Sequence, residues 1–387
     1  MLKSKMKLSH TKICFFGCDF PPTSGGIATY SYEWILTTAE NLEVASVRAV
    51  IFGNKNPRRE QIGKLGLITF KSRGFVVTGI LTLIYILKNF NSDLFHSLNL
   101  FPVGFWVVFW SKILKRKSAV TFYGTDACSS QASILTLKLK KWTIENASRA
   151  FTISEFTKRE TLQILKIQRE IEVVYALVPE KTIKEQQKNS HLLANHSDSE
   201  RIDERIHDED FIVLSVCRMV KRKGLDLLLK AISLLGDDKI KAVLVGDGPE
   251  RKVLEDMASE LKIQDRVIFV GKVNSLEPYY KRANVAVLLS NYLRAEGDFE
   301  GLGLVLIEAQ YYGVPVIGSE SGGIPEAFEN GRTGLLVPES NSEAIRDAIL
   351  EIYNNKDLRN KMSQESKKFI YEKFDPKMII DNYIKSI

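Results

Sequence analysis

Short apolar runs with the composition of buried strands recur along the chain and alternate with stretches of helical periodicity. In the first half they lie at 12–17, 44–52, 67–70, 94–96, 119–122, 150–153 and 172–174. In the second half they lie at 211–216, 242–245, 267–270 and 285–288. Such alternation predicts parallel sheets covered by helices on both faces. Because 387 residues are too many for one ordinary core, the sequence predicts two such α/β units.

The composition is that of a globular protein, with 44% hydrophobic and 26% charged residues. Cys14, Cys18, Cys128 and Cys217 are scattered without metal-ligand spacing, which is typical of thiols in a reducing compartment. The lysines at the N-terminus are not followed by the apolar segment of a secretory signal. The uncharged run 74–87 is shorter than the roughly 17–25 residues that span a bilayer, so it predicts a buried helix. We therefore expect a cytoplasmic protein.

Positive charge is concentrated in the first half. Residues 1–178 carry 24 Lys and Arg against 12 Asp and Glu, and the whole chain has a formal net charge of +7. A basic half suits anionic lipids, anionic polymers or nucleic acid, but no nucleic-acid motif is present. The segment 101–114 contains Trp106 and precedes Lys115, a pattern that suits peripheral contact with an anionic membrane. A core helix with a solvated basic end is the competing interpretation.

Polar or glycine-rich segments follow several strands of the first half. Gly25 and Gly26 end the loop after the first strand, and they predict either a phosphate or sugar loop or only a tight turn. His96 ends one strand, and Tyr123 and Asp126 follow another. Ligands of parallel sheets bind at the carboxyl ends of strands, which makes these three side chains candidates. A helix-capping role is the competing interpretation for Asp126.

The segment 179–210 is highly polar and nearly devoid of strand-forming residues, so it predicts a linker or mobile insertion. Its acidic run, Asp208 to Asp210, precedes a strand and predicts a solvated surface rather than a metal site. The histidines of the segment have no clustered ligand spacing either. The sequence therefore predicts no metal centre.

A basic turn follows the first strand of the second half. Arg218 and Lys223 flank it at the start of a helix, where two cations and the helix dipole suit a pyrophosphate. Lys221 and Arg222 between them are expected to be exposed, so a solvated basic turn remains the alternative. The next strand ends in a turn that begins at Gly246.

Two glutamates, Glu300 and Glu308, occur in the segment 291–326, which predicts a loop, a helix, a short strand and a second loop. Gly301 and Gly303 allow close approach of the backbone to a ligand, and the first turn of the following helix favours an anion. Glu308 lies among apolar residues and therefore needs a partner. An acid before a helix and a surface acid on it form the structural alternative.

In this order the motifs resemble those of the family 4 retaining glycosyltransferases, which have the GT-B fold. They are Gly25-Gly26, Arg218 with Lys223-Gly224, the turn 246–249, the run 300–309 and the glycine-rich segments after it. The resemblance implies two Rossmann-like α/β/α domains that face each other across a cleft. Residues 1–178 would bind the acceptor, together with a C-terminal helix at about 374–387, and residues 211–373 would bind the donor.

The resemblance also implies roles for individual residues. Glu300 would contact the donor sugar, Glu308 would hold the ribose, and Arg218 and Lys223 would neutralise the diphosphate, with Asp126 as a further catalytic candidate. Tyr123 stands where the family often has histidine, so Tyr123 and His96 are candidate contacts to the sugar or acceptor. The remaining donor-binding candidates are Gly25, Gly26, Gly246, Val273, Gly301, Leu302, Gly303, Leu304 and Val305.

The expected reaction is metal-independent and cofactor-free transfer of a sugar from a nucleoside diphosphate sugar to a glycan or lipid-linked acceptor. GDP-mannose or a UDP-sugar is the expected donor, and the location implied is the cytoplasm or the cytoplasmic face of the membrane. A nucleotide-sugar epimerase, a phosphorylase and a non-catalytic nucleotide-sugar binder remain alternatives. An epimerase would release a rearranged nucleotide sugar, and a phosphorylase would need a cofactor lysine that the sequence does not identify.

Overall fold

Two parallel-rich β-sheets flanked by helices organise the computed structural model, which describes residues 11–18, 20, 25–53, 57–71, 74–129, 132–183 and 202–387. The chain divides into two compact units. One comprises Met1–Leu177 with Asp375–Ile387, and the other comprises Val178–Phe374. The prediction of two parallel α/β units is confirmed. Of the segment predicted to be a linker, residues 184–201 lie outside the described part.

The first unit contains an eight-stranded sheet in the order β3-β4-β2-β1-β5-β6-β7-β8. Neighbouring strands are parallel, except that β3 runs antiparallel to β4. The sequence did not predict β3, because its four residues are exposed and lack an apolar pattern. The strands are β1 (Thr11–Gly17), β2 (Val44–Ile51), β3 (Arg59–Ile62), β4 (Leu65–Thr69), β5 (Leu94–Ser97), β6 (Ser118–Phe122), β7 (Arg149–Thr152) and β8 (Glu172–Val173).

Helices connect the parallel strands of this unit, and the last helix of the chain also belongs to it. That last helix packs on the first one, where Trp34 and Tyr383 are both fully buried, with ring centroids 5.1 Å apart. Burying side chains of this size stabilises the fold by about 1.5–3 kcal/mol each. The helices are α1 (Gly26–Glu40), α2 (Phe75–Lys88), α3 (Phe105–Ile113), α4 (Thr125–Cys128), α5 (Ile134–Asn146), α6 (Glu155–Leu165) and α13 (Pro376–Ser386).

The second unit contains a six-stranded parallel sheet in the order β11-β10-β9-β12-β13-β14. Its strands are β9 (Phe211–Val216), β10 (Ile240–Val245), β11 (Val267–Gly271), β12 (Val285–Leu288), β13 (Val316–Ser319) and β14 (Gly334–Val337). Its helices are α7 (Leu225–Ser233), α8 (Arg251–Glu260), α9 (Glu277–Arg282), α10 (Leu304–Tyr311), α11 (Ser342–Asn354) and α12 (Lys356–Lys373).

In both sheets the order in which the strands are added reverses between two inner strands. In the first sheet the strand order reverses between β1 and β5, and in the second it reverses between β9 and β12. Crevices for ligands form at such points, outside the carboxyl ends of the two central strands. We therefore expect a ligand site in the loops after these four strands.

One helix departs from its prediction. The run 74–87 forms α2, but it is not the buried helix that we expected, because several large apolar side chains on it are exposed to solvent. None of the helices in the described part of the chain is long and apolar enough to cross a membrane.

Candidate active site

The reversal point of the second sheet brings a basic turn against an acidic loop. The turn that follows β9 carries Arg222 and Lys223, and the loop that follows β12 carries Glu300. These side chains are separated by 77 or 78 positions in sequence and meet because β9 and β12 are adjacent. The pairing of Lys223 with Glu300 places two predicted site residues together.

Three donors converge on one oxygen of Glu300. Its Oε2 lies 2.5 Å from Lys223 Nζ and 2.8 Å from Arg222 Nη1, and it accepts a longer hydrogen bond of 3.3 Å from Ser290 Oγ. Burial by itself raises the pKa of Glu300, but the charges of Lys223 and Arg222 outweigh burial and lower that pKa to about 2. Glu300 is therefore ionised at any physiological pH. Within the described part of the chain, the side-chain hydrogen bonds to this carboxylate all fall on Oε2.

Arg222 is the site residue that the sequence did not predict. We expected it to be exposed beside Lys221, but its side chain is only 16% exposed and forms ion pairs with Asp298 at 3.0 Å and Glu300 at 2.8 Å. Lys221 is exposed as expected. A charged side chain is buried only where it has partners, and these partners lie far away in sequence.

Arg218 does not join this cluster. Its side chain is exposed and forms no ion pair with any residue in the described part of the chain. It follows β9 at the same edge of the sheet as Lys223. The structure thus separates the two cations that the sequence treated as one pair, and it replaces Arg218 by Arg222 as the neighbour of Glu300.

The loop that carries Glu300 rests on the glycine pair after β13. Gly323 donates its N–H to the carbonyl oxygen of Glu300 at 2.8 Å. A Cβ atom on Gly322 would lie 2.4 Å from that oxygen, and one on Gly323 would lie 2.1 Å from the carbonyl oxygen of Gly301. Only glycine allows two backbones to approach so closely. The glycine pair therefore fixes the position of the Glu300 backbone.

The run from Gly301 to Val305 offers backbone groups to a ligand. Gly303 has φ of 93° and precedes α10, and no side chain caps that helix. The N–H groups of its first turn, which includes Leu304 and Val305, suit an anion. Leu302 is buried, so that its side chain is part of the core and only its backbone remains available.

Glu308 has the partner that its apolar surroundings require. Tyr280 on α9 donates its hydroxyl hydrogen to Glu308 Oε2 at 2.8 Å, and its ring stacks on Tyr312 with centroids 5.4 Å apart. Burial, together with the charge of Glu308, raises the pKa of Tyr280 well above its usual value. Tyr280 therefore remains a donor and fixes the rotamer of Glu308.

Gly246 and Val273 lie in loops at the carboxyl ends of β10 and β11. A Cβ atom on Gly246 would lie 2.0 Å from the carbonyl oxygen of Cys217, and its φ is 128°. Packing of one loop on another is therefore sufficient to require glycine there. Val273 is half-buried two residues after β11. The structure gives both residues positions at the ligand-binding edge, and their contact with a donor remains a prediction.

The candidate residues of the first unit occupy several loops of its sheet. Gly25 and Gly26 are exposed, and they form the N-terminal end of α1. At the reversal point the backbone N–H of Cys18 after β1 donates to Asn99 Oδ1 after β5 at 2.6 Å. Cys18 is thus tied to the neighbouring strand end.

Asp126 holds the turn after β6. Its Oδ1 accepts hydrogen bonds from the backbone N–H groups of Tyr123 at 2.8 Å and Gly124 at 3.0 Å. Burial raises the pKa of Asp126, and those hydrogen bonds and the charge of Lys140 oppose the rise. Asp126 lies inside α4 and reaches back to the residues before the helix, so it is not the N-cap that the sequence offered as an alternative, and it fixes the backbone of Tyr123. The ring of Tyr123 packs edge-on against Tyr30, with centroids 5.1 Å apart.

His96 is not available to a sugar or acceptor. It is fully buried, and its ring nitrogens form hydrogen bonds with the hydroxyls of Tyr383 at 2.6 Å and Thr121 at 2.8 Å. Burial lowers the pKa of His96 to about 3, so the ring is neutral at physiological pH. The suggested ligand contact is thus replaced by a packing role that joins β5 to α13.

Two family models match successive parts of the chain. The model of Glycosyltransferase Family 4 matches residues 24–180, and the model of Glycosyl transferases group 1 matches residues 196–369. The chain belongs to the family 4 glycosyltransferases. The resemblance that we drew from the motifs is confirmed.

Characterised relatives of this glycosyltransferase align with part of their length. N-acetyl-alpha-D-glucosaminyl L-malate synthase of Bacillus anthracis is 29% identical over 69% of this chain and 66% of its own. A GDP-mannose-dependent phosphatidylinositol monomannoside mannosyltransferase of Mycobacterium tuberculosis is 33% identical over 41% of this chain and 42% of its own. The chain thus spans between about two fifths and two thirds of these relatives.

Solved structures show that the glycosyltransferase has the GT-B fold. Anabaena HepE in complex with UDP-glucose matches with a TM-score of 0.72 at 18% identity, over 98% of this chain and 100% of that chain. Sucrose-phosphate synthase from Thermosynechococcus elongatus matches with a TM-score of 0.73 at 21% identity, over 97% and 98%. The predicted fold class is confirmed. In the part of the chain that the structure describes, no three His, Cys, Asp or Glu side chains are grouped to hold a metal ion.

Proposed function

We propose that this glycosyltransferase transfers a hexose from a nucleoside diphosphate sugar to an acceptor hydroxyl, with retention of the anomeric configuration. The observation that carries the proposal is the contact of Lys223 and Arg222 with Glu300 at the reversal point of the second sheet. It sets a fixed carboxylate beside fixed cations and the uncapped N-terminus of α10. A sugar diphosphate has the matching chemistry, because it combines neutral hydroxyls with a charged leaving group.

Each part of the donor has a counterpart in this proposal. Glu300 accepts hydrogen bonds from sugar hydroxyls through Oε1, and Glu308 accepts them from the ribose while Tyr280 holds its other oxygen. Lys223, the first turn of α10 and the exposed Arg218 lie where negative charge develops on the departing diphosphate. Fixed cations and helix N–H groups stabilise such charge without a metal ion. We therefore propose a metal-independent, cofactor-free reaction.

The proposed chemistry is a same-face substitution. The bond between the anomeric carbon and the phosphate oxygen breaks, and a bond from that carbon to the acceptor oxygen forms. The acceptor proton moves to the leaving diphosphate, so no side chain is assigned as a general base. In the first unit, Asp126 holds the turn that contains Tyr123, and Gly25 and Gly26 remain a candidate phosphate or sugar loop.

Two nucleotides are supported as donors. The mycobacterial relative is named as GDP-mannose-dependent, whereas HepE binds UDP-glucose. We propose GDP-mannose as the first donor to test and a UDP-sugar as the second. We also propose a glycan or lipid-linked acceptor and a place in the cytoplasm, at the face of the membrane. The basic first half of the chain supports an anionic surface as its neighbour.

The test is turnover of radiolabelled donors. The chain is incubated separately with GDP-mannose, UDP-glucose and UDP-N-acetylglucosamine, with EDTA present, and released nucleotide and free or transferred sugar are measured. We expect one donor to be consumed and Glu300→Ala to lose at least a hundredfold in rate. Glu296→Ala is the matched control, because Glu296 is an exposed acid in the same loop. A rearranged nucleotide sugar as the product, or full turnover by Glu300→Ala, would overturn the proposal.

A further inference from the structure

The outward face of α2 is apolar although it is exposed to solvent. Val76, Ile80, Ile84 and Leu87 are 65%, 53%, 37% and 51% exposed. Their spacing of four, four and three residues places them on one face of the helix. We refer to these four residues as the α2 stripe.

The inward face of α2 is less apolar than the stripe. Its buried residues are Thr78, Gly79, Thr82 and Ile86. A surface helix ordinarily has its polar residues outward and its apolar residues inward. In α2 this polarity is largely reversed, so packing among the residues that the structure describes does not explain the stripe.

The reversal follows from the way α3 holds α2. The ring of Trp106 lies against Gly79, where a Cβ atom would come within 2.5 Å of that ring. Its indole N–H donates to the carbonyl oxygen of Phe75 at 3.0 Å, and that of Trp110 donates to the carbonyl oxygen of Gly79 at 2.9 Å. A small, polar face is what these contacts need. The four side chains of the α2 stripe are therefore left facing the solvent.

The stripe begins at the ligand-binding edge of the first sheet. Phe75, at the start of α2, stacks on Phe101 with ring centroids 5.6 Å apart and on Phe105 at 5.9 Å. Phe101 lies four residues after Ser97, the last residue of β5. The carboxyl end of β5 adjoins the reversal point of the sheet. An apolar surface thus leads to the place where an acceptor would be bound.

The opposite end of the stripe is basic. Lys88, Lys112, Lys115 and Lys117 are exposed in the last turns of α2 and α3 or just after them. These ends adjoin each other, since Arg116 lies over the ring of Phe90 at 5.0 Å. Neither α2 nor α3 contains an Asp or Glu.

We propose that the α2 stripe and its basic end form a docking surface for an anionic lipid membrane. Apolar side chains beside lysines match the boundary between acyl chains and anionic headgroups. A second copy of the chain would bring the same lysines and no carboxylate on α2 or α3 to pair with them. This proposal deepens the membrane location given under the proposed function and rests on it. It places the acceptor edge of the first unit at the lipid surface.

The experiment is sedimentation of the full chain with vesicles, without any sugar donor. One set of vesicles contains equal parts of phosphatidylglycerol and phosphatidylcholine, and the other contains phosphatidylcholine alone. We expect binding to the anionic vesicles only and weakening by salt, because exposed charges are screened. The double variant Ile80→Ser with Ile84→Ser should lower the partition coefficient of the protein between vesicles and solution at least tenfold. Lys88→Gln with Lys112→Gln should lower it as well.

Matched controls remove equivalent groups from the second unit. Val253→Ser removes an apolar side chain that is 59% exposed, and Lys252→Gln removes an exposed lysine. Both should bind vesicles as the wild type does, and all variants should keep the wild-type unfolding midpoint. Equal vesicle binding by the wild type and the Ile80, Ile84 variant would overturn the proposal, as would no binding by the wild type. A dimer that dissociates only in that variant, seen by analytical ultracentrifugation, would instead assign the stripe to a second copy.

The outcome is independent of the transfer reaction. Donor hydrolysis is measured without vesicles, and vesicle binding is measured without donor. If donor is consumed but the chain does not bind vesicles, the docking surface alone is wrong. If vesicles are bound through the stripe but no donor is consumed, the proposed reaction is wrong.

Discussion

Arg222 and Glu300 form an ion pair of 2.8 Å between the loops that follow two adjacent strands of the second sheet. The same guanidinium reaches Asp298 at 3.0 Å, so that one cation joins two carboxylates of the loop after β12. Lys223 shares Glu300 Oε2 with it. We infer that the two cations have different roles. Arg222 positions the loop after β12, and Lys223 contacts the diphosphate of a donor.

The first prediction concerns Arg222 as a positioning residue. Removing its side chain in Arg222→Ala leaves Asp298 and Glu300 without a shared partner, and hydrogen bonds to charged groups contribute about 1.5–3 kcal/mol. We expect kcat/KM to fall about 10- to 100-fold. Arg222→Lys should recover part of the loss, since it keeps the charge but not the two-sided contact. Steady-state kinetics with the accepted donor measures this.

The control for Arg222 is Lys221→Ala, which removes the exposed cation next to it. We expect that variant to keep the wild-type rate within about twofold, because exposed charges contribute little. Equal losses in both variants would mean that overall positive charge, rather than the ion pair, is what matters. If Arg222 acts through Glu300, the factor by which KM for the donor rises in Arg222→Ala should be smaller than the factor by which kcat falls.

The second prediction concerns the hydrogen bond from Tyr280 to Glu308. In Tyr280→Phe the ring and its stacking on Tyr312 remain, but Glu308 loses the donor that fixes its rotamer. We expect the KM for the nucleotide sugar to rise about tenfold with kcat nearly unchanged, because a ribose contact serves binding more than chemistry. Tyr353→Phe is the matched control, since it removes another tyrosine-to-carboxylate hydrogen bond, to Asp237, in the same unit. A loss in kcat alone would contradict the ribose role.

The third prediction concerns Tyr123, which stands where the family often has histidine. The side chain is nearly buried, with its ring against Tyr30. A tyrosine hydroxyl donates a hydrogen bond but cannot carry positive charge. We expect Tyr123→Phe and Tyr123→His to retain turnover while the ratio of kcat/KM between two donors or two acceptors shifts by about tenfold. Unchanged rates and unchanged ratios in both variants would remove Tyr123 from the site.

The order of strands and helices was predictable because buried strands of a parallel sheet are short, continuous apolar runs. Strand β3 was not predicted, since an exposed edge strand such as Arg59–Ile62 carries no such pattern. The loops that carry the candidate residues of the second unit were also predictable, because a basic turn follows β9 and a loop with glycines and acidic residues follows β12. Sequence pattern thus predicted which edge of each sheet carries the candidate residues.

What the sequence did not predict depends on partners far along the chain. Arg222 was expected to be exposed, because its burial depends on Asp298 and Glu300, which the sheet topology brings to it. His96 was predicted as a ligand contact because it is a polar residue near the end of a strand. It is buried instead, because Tyr383 of α13 packs against it and forms a hydrogen bond with its ring. For α2, periodicity identified the helix but not which side faces the protein. That choice is made by Trp106 and Gly79, which belong to different helices.

The fourth prediction concerns His96 and the dependence of stability on pH. Burial lowers the pKa of His96 from its usual 6.5 to about 3. The unfolded chain therefore binds a proton below about pH 6.5, whereas the folded chain binds it only near pH 3. The stability due to neutral His96 is complete above pH 6.5 and is lost as the pH falls toward 3. In His96→Gln this group cannot titrate, so we expect the free energy of unfolding to fall less steeply between pH 6.5 and pH 4 than in the wild type.

Urea denaturation at a series of pH values measures the two slopes. The control is His207→Gln, which replaces an exposed histidine of the second unit. Parallel slopes in the wild type and His96→Gln would show that His96 is not held neutral by burial.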